Sequence, residues 1–287
     1  QRQMCIRDSY STDYGSMFTP RLHARWNISD ALTWNVSAGR GYRAPHIMAE
    51  NAFLLASSRA LIFDPDVRQE EAWNFGTGLG YTVYVANKPL KLEGEYYYTH
   101  FTHQLLVDMD SNPHAVYFRD LNGRSYSHTV QVEATYPLIQ DMSITAAYRF
   151  TDVKVDYGQG LVQKPLTSRH KGLVTVGYAP MMGLWQFDVT CSVTGGGRMP
   201  SPYRMADGGL SWEPEYKAYS QLSAQVTRNF RHWAVYVGGE NLTNYRQQRP
   251  VIGGENPWST GFDATMVYAP LHGANVYVGF RYTWNRY

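Results

Sequence analysis

From Met142 to Thr151 the chain reads Met-Ser-Ile-Thr-Ala-Ala-Tyr-Arg-Phe-Thr. Met142, Ile144, Ala146, Tyr148 and Phe150 fall on one side of an extended backbone, and Ser143, Thr145, Ala147, Arg149 and Thr151 on the other. A period of two over this length fits a strand with one apolar and one polar face, and it fits no helix. The pattern recurs. Leu32, Trp34 and Val36 alternate with Thr33, Asn35 and Ser37; Leu90, Leu92, Tyr96 and Tyr98 with Lys91, Glu93, Glu95 and Thr99. Val130, Val132, Ala134 and Tyr136 alternate with Thr129, Gln131, Glu133 and Thr135, and Trp185 to Val193 and Val276 to Trp284 behave the same way. No comparable helical stretch competes, and no run of 18 apolar residues exists to make a transmembrane helix. The chain reads as all-β.

The alternating stretches are roughly 9 to 14 residues long, where strands of ordinary soluble sheets average about 5 to 6. A tilted strand of about ten residues is what a bilayer requires of a spanning element. Aromatic residues make up 15% of the 287. They gather at strand ends, where an apolar ring with a polar tip is stable at a membrane interface. Short turns at 27–30, 86–89, 137–141, 179–183 and 229–232 alternate with long connections at 41–69, 104–123, 154–170, 195–215 and 245–273. Outer-membrane barrels place short turns in the periplasm and long loops outside, which puts the C-terminus in the periplasm. About eleven strands emerge, near 18–26, 31–40, 71–84, 90–103, 124–136, 142–153, 171–178, 184–194, 216–228, 232–243 and 274–284. The expected architecture is an antiparallel transmembrane β-barrel, incomplete because bacterial barrels have even strand numbers and an open edge leaves backbone groups unsatisfied in lipid.

Charge narrows the partners. The 26 basic and 24 acidic residues nearly cancel, which argues against nucleic acid. Cys5 and Cys191 make no disulfide framework or metal-binding spacing. Residues 1–9 show neither period nor a signal-peptide core. They are similar to translated sequencing-adapter sequence and are expected to be a non-native or disordered head, with the barrel domain running over 10–287.

Several motifs then carry a resemblance. Trp34-Asn-Val-Ser-Ala-Gly-Arg-Gly-Tyr-Arg-Ala-Pro45, preceded by Phe18-Thr-Pro-Arg-Leu22, is similar to the mid-barrel hairpin and G-x-G-[FY]-R-A-P loop of TonB-dependent outer-membrane receptors of the Bacteroidetes kind. Gln69 to Asn74 resembles the element opening their next hairpin, and Glu240-Asn-Leu-Thr-Asn-Tyr245 the region before their final loop. Asn122 to Ala134 looks like their G-x-x-x-x-G-x-E strand, with Thr129 where glycine is usual. Two departures are Gly273-Ala274 where Gly-Arg is common, and a final Tyr287 out of phase with Trp284. The resemblance implies strands 12 to 22 of a 22-stranded barrel. It also implies energised uptake of a scarce small-molecule or metal-chelate ligand such as an iron–siderophore, haem or cobalamin. The implied partners are the receptor's own plug domain, absent from this chain, the TonB complex reached through that part, and outer-membrane lipid and lipopolysaccharide. A passive porin-like channel is the alternative.

Nothing points to an enzyme or a cofactor. His100 and His103 are three apart and face opposite ways on a strand, and no G-x-S-x-G, H-E-x-x-H or P-loop occurs. Gly39 and Gly41 read as a strand end turning into a loop on positive φ. The polar-face charges Glu133, Arg149, Glu240 and Arg281, with Glu93, Glu95 and Asp188, suit a wet lumen or a plug interface. Arg43, His46, Tyr203, Trp212, Arg246, Arg249 and Trp258 in the long connections are the candidate ligand contacts, since aromatic and arginine side chains are usual binding anchors.

Overall fold

The computed structural model describes residues 2–12, 14–158, 160–204 and 209–284, and for 2–9 the backbone alone. Met205 and the terminal Tyr287 lie outside the described residues. Twelve strands follow one another across a single sheet in chain order, each antiparallel to the next. They are β1 (Arg2–Ser11), β2 (Gly15–Asn27), β3 (Leu32–Arg43), β4 (Glu70–Val85), β5 (Lys88–His103) and β6 (Ser125–Ile139). The remaining six are β7 (Met142–Asp156), β8 (His170–Tyr178), β9 (Trp185–Thr194), β10 (Tyr219–Asn229), β11 (Trp233–Glu240) and β12 (Asn275–Tyr282). A short thirteenth strand, Leu161–Gln163, adds to the long-connection end of β7. The sheet is open among the described residues, with β1 and β12 at its two edges.

All eleven strands expected from the period are present, several longer than the pattern suggested. The backbone of Arg2–Ser11 pairs with β2 over its whole length, from Arg2↔Ala24 to Ser11↔Gly15; pairing with a neighbour, not its own periodicity, supports that strand. One expectation fails: Gly39 and Gly41 do not turn the chain. Neither has positive φ, and β3 runs through both to Arg43, opposite Glu70.

The short turns are built as tight hairpins. Ala86 and Asn87 both take positive φ between β4 and β5, the two-residue geometry whose twist matches its strands. Asp141, Met181 and Met182 do the same in the next two turns. Between β11 and β12, Gly238 and Gly279 leave room for facing rings: a Cβ on Gly238 would meet Tyr277, and one on Gly279 would fall within the ring of Tyr236.

Among the described side chains the sheet builds no core of its own. Along β2 to β12 one face is apolar yet uncovered: Leu79 is 53% exposed, Val132 47%, Val193 46% and Val278 77%. An apolar surface of this extent is unstable in water and is the expected surface of a lipid-facing sheet. Near the short-turn ends the same face carries paired aromatics. Trp26 stacks on Trp34 at 4.9 Å, Phe230 on Trp233 at 3.7 Å, and Arg228 lies 4.6 Å from the Trp185 ring. The opposite face is polar, with Thr135–Thr145 and Thr175–Thr190 hydroxyl pairs bridging neighbouring strands.

What is buried lies mostly in the long connections, which fold together as a cap. Strands Leu105–Asp108 and Ala115–Asp120 form a hairpin, and Ala60–Phe63 joins it in parallel from an earlier connection. Leu54, Leu105, Met109, Val116 and Phe118 make one small core beneath this sheet. Met199, Tyr216 and Met266 make another, packed by Leu166, Trp212 and Ile252.

Candidate functional site

Two features compose the site: the polar face of the sheet and the cap at its long-connection end. The cap is cross-linked by buried charge. Arg59 Nε lies 2.9 Å from Asp263 Oδ2, at ion-pair distance without hydrogen-bond alignment, with both side chains about 5% exposed or less. Backbone bonds Ser58 N→Phe262 O (2.9 Å) and Ala264 N→Ala56 O (3.0 Å) hold the two segments on either side. Asp263 Oδ1 also accepts from Thr265 N and Oγ1. The Arg59 guanidinium sits 5.4 Å from the Trp212 ring, and its Nη1 and Nη2 have no acceptor among the described residues. Burial pushes the Arg59 pKa down, while Asp263, Tyr203 and Asp110 act to hold it up.

A second link joins other connections. Arg198 grips Asp110 with two bonds, Nη1 to Oδ1 at 3.0 Å and Nη2 to Oδ2 at 2.7 Å, and Ser201 N adds a third at 2.8 Å. Burial alone would raise the Asp110 carboxyl, but the hydrogen bonds from Arg198 and Ser201 outweigh it and hold the pKa below the usual carboxylate range. The folded-state pKa is therefore depressed, so the link is at full strength above the ordinary carboxylate pKa and is lost as pH falls through the lower, folded value. Hydrogen exchange of the 195–201 amides in the intact receptor should stay constant from pH 7 to 5, after correction for intrinsic rates, and rise only under stronger acid. A rise near pH 6 would contradict this assignment.

The predicted ligand contacts separate into groups. Tyr203 and Trp212 come together edge-to-face at 5.7 Å, with His114 4.9 Å from Tyr203 and Arg59 beneath Trp212. Trp212 Nε1 donates to Pro200 O at 2.7 Å, which fixes the indole. Arg43 lies apart, at the end of β3, engaged by Glu70 at 2.5 Å and Glu50 at 3.0 Å. His46 opens the short helix Ile47–Glu50 next to it. Arg246 lies against Gly273, where a Cβ would meet its guanidinium. Arg249 is exposed on positive φ, and Trp258 is 95% exposed. The seven do not form one pocket. Arg59, Asp110, Arg198 and Asp263 were not singled out from sequence, because nothing local marks a residue whose partner lies in another connection.

The motif beginning at Glu240 has a structural task. Asn241, 5% exposed, donates to Tyr245 O at 2.8 Å and to His272 O at 3.1 Å. Its Oδ1 accepts from Tyr245 N and Thr243 Oγ1, both at 3.2 Å. One side chain thus pins the start of the last connection to its end. Asn241→Ala removes the donor to two part-buried carbonyls and should destabilise this junction by about 1 kcal/mol, read as faster exchange at 241–245 with strands β2–β9 unchanged.

On the polar face, Glu133, Arg149, Glu240 and Arg281 sit in phase as expected from sequence. Register places Glu93 opposite Glu133 and Lys171 opposite Arg149, like charges that repel across strands. None of the four joins an ion pair among the described residues. Towards the cap, Arg21, His23, Gly39, Gly41, Asn74 and the Arg43–Glu70 pair line a hollow of about 580 Å³ on this face.

A single antiparallel sheet, apolar and girdled by aromatics on one face and polar on the other, with a cap at one end, defines a segment of a transmembrane β-barrel. The family model for the TonB-dependent receptor-like β-barrel matches residues 6–242. The chain belongs to that family, which places it in the bacterial outer membrane. No curated protein matches the sequence. Among solved structures, the siderophore receptor PirA from Acinetobacter baumannii is similar at TM-score 0.69 and 12% identity, over 98% of this chain and 43% of that one. A mutant of the ferric enterobactin receptor from Pseudomonas aeruginosa gives 0.68 and 13%, over 97% and 42%. The FrpB iron transporter from Neisseria meningitidis gives 0.62 and 11%, over 93% and 39%. At these identities the likeness is one of fold, and the chain spans less than half the length of these proteins.

Proposed function

We propose that this chain is the C-terminal part, over residues 10–287, of the barrel of a receptor for TonB-dependent uptake of a scarce small molecule or metal chelate. The observation that carries the reading is the polar face. Glu93 faces Glu133 and Lys171 faces Arg149 across strands, and none of Glu133, Arg149, Glu240 and Arg281 joins an ion pair among the described residues, so these side chains suit a wet lumen and are free to meet a charged partner filling it, a plug domain supplied by the rest of the receptor. Tyr203 and Trp212, with Arg59 behind them, are the part of the cap best built to touch ligand; Arg43, His46, Arg246, Arg249 and Trp258 are peripheral candidates. The long connections face outside and the C-terminus the periplasm. Energy comes through the TonB complex, and no step of this uptake is an enzymatic reaction of this chain.

Replacing Glu133, Arg149 and Arg281 with alanine in the intact receptor should lower energised uptake of its ligand several-fold while outer-membrane abundance and heat-modifiable mobility stay near wild type. Equal loss of uptake and abundance would reject a plug-facing role. Uptake that persists without TonB and follows the concentration gradient would replace the reading with a passive channel.

A further inference from the structure

Asn122-Gly123 is the one Asn-Gly step in the chain. It lies between Asp120, which ends the cap hairpin, and Ser125, where β6 begins. Asn122, Gly123 and Arg124 are exposed, while Leu121 and Ser125 on either side are buried. Among the described residues, neither the Asn122 carboxamide nor the Gly123 backbone N–H takes part in a hydrogen bond. The backbone nitrogen that follows the carboxamide is therefore open to water, and glycine puts no side chain in its way.

The fold requires glycine at 123. Its φ is +154°, and a Cβ there would stand 2.9 Å from Asp156 Oδ2 and 3.0 Å from Asp156 Cβ. Asp156 is itself held. Its Oδ1 accepts from Gly158 N at 2.8 Å and Gly160 N at 3.0 Å, and its own N donates to Arg124 O at 3.0 Å. The segment is clamped at its other end as well. Leu121 N donates to Gln104 O at 2.9 Å, and the Leu121 side chain packs with Leu106 and Val155 in another small core. Two unpaired residues thus join two held points.

We propose that Asn122 is a self-modification site, which converts to isoaspartate and loosens the cap hairpin as the receptor ages. The Gly123 nitrogen gives its proton to solvent and attacks Asn122 Cγ. The Cγ–Nδ2 bond breaks and ammonia leaves, closing a cyclic imide. Water then opens the imide at either carbonyl. Attack at the former backbone carbonyl leaves the main chain running through Cβ and Cγ, which is isoaspartate; attack at Cγ gives aspartate. One water is consumed and one ammonia released, with nothing oxidised or reduced. Isoaspartate adds a carbon to the main chain between the clamps at Leu121 and Arg124. It also places a new carboxylate one residue from the glycine that Asp156 covers. Both changes load the Asp156–Arg124 bond and the Leu121 contact. The inference uses neither an uptake ligand nor a plug.

The intact receptor is aged in mild detergent at physiological temperature and pH, digested and mapped by mass spectrometry, with isoaspartate counted by isoaspartyl-methyltransferase labelling. Residue 122 should lose its amide at least about tenfold faster than the exposed Asn87 and Asn244, whose next residues, Lys88 and Tyr245, carry side chains. Isoaspartate should outweigh aspartate among the products. Asn122→Gln, at an exposed position without a hydrogen bond, should fold normally and stay unmodified. Limited proteolysis reads the consequence. Aged wild type should be cut within 105–120 at least about tenfold faster than fresh protein, as a local opening, while aged Asn122→Gln keeps the fresh rate. Fresh Asn122→Asp, which adds the charge without the backbone carbon, should fall between the two. An amide at 122 that outlasts those at 87 and 244, or is lost at their rate, would overturn the site. Conversion with unchanged cleavage, or equal loosening in aged Asn122→Gln, would overturn its effect on the hairpin.

Discussion

Placing an arginine at Val189 should cost the intact receptor about 2–4 kcal/mol of barrel stability, the range for a cation at mid-membrane on a barrel's lipid face. Val189 sits in the middle of β9, 41% exposed, on the face shared with Phe187, Cys191 and Val193. Its neighbour Thr190 points to the other face and pairs with the Thr175 hydroxyl at 3.1 Å. Thr190→Arg therefore puts the same charge into the polar interior and should cost about 1 kcal/mol, the value of the lost hydroxyl pair. Reversible folding into lipid vesicles, followed by urea titration, measures both. Equal costs would mean that the two faces of this strand meet the same environment, and the lipid-facing assignment would fail.

The second large effect is expected in the cap. Arg59→Ala leaves Asp263 charged, buried and without its cation, and removing one partner of a buried pair typically costs about 3–5 kcal/mol. Because the pair links two long connections that otherwise share only a few backbone bonds, the loss should appear as local opening, with proteolysis within 245–273 rising by orders of magnitude while the strands stay protected. Arg59→Met combined with Asp263→Leu removes both charges, fills similar volume, and should recover most of the loss, as buried pairs replaced by apolar residues often do. If the double variant is as labile as Arg59→Ala alone, the damage comes from lost packing on Trp212 and not from an unpaired charge.

The barrel and the cap differ in how visible they are in sequence, and the difference is physical. A strand with lipid on one side and polar surroundings on the other must alternate at every position, so Met142 to Thr151 declares its fold without help. That is why all eleven alternating strands were found, and why their faces came out in phase. The ends were less clear. β3 continues three residues beyond the apparent stop at Arg40, because Gly39 and Gly41 look like turn residues yet lie flat opposite Asn74 and Ala72. The strand at 2–11 carries no period of its own and is supported by its pairing with β2. Ala60–Phe63 is the extreme case: four residues made a strand by a parallel partner at Ala115–Phe118 in another connection.

The candidate site divides along the same line. Glu133, Arg149, Glu240 and Arg281 were legible because face follows from parity. Tyr203 and Trp212 were legible only as residue types, and their meeting depends on how the 195–218 connection folds. Arg59–Asp263 and Asp110–Arg198 were not legible at all, since a tertiary ion pair leaves no local pattern in either segment.

Two adjacent positions on β9 test the central claim most directly. With Cys5 replaced by serine, native Cys191, exposed on the apolar face, and a Ser192→Cys variant that also carries Cys191→Ser are each spin-labelled in the intact receptor reconstituted in bilayers. Collisions with oxygen, which concentrates in lipid, and with a water-soluble nickel complex are then compared. The label at 191 should respond to oxygen and be shielded from nickel, and the label at 192 should show the reverse. Equal responses at the two sites, or the opposite order, would contradict a membrane-spanning wall that is apolar outside and polar within.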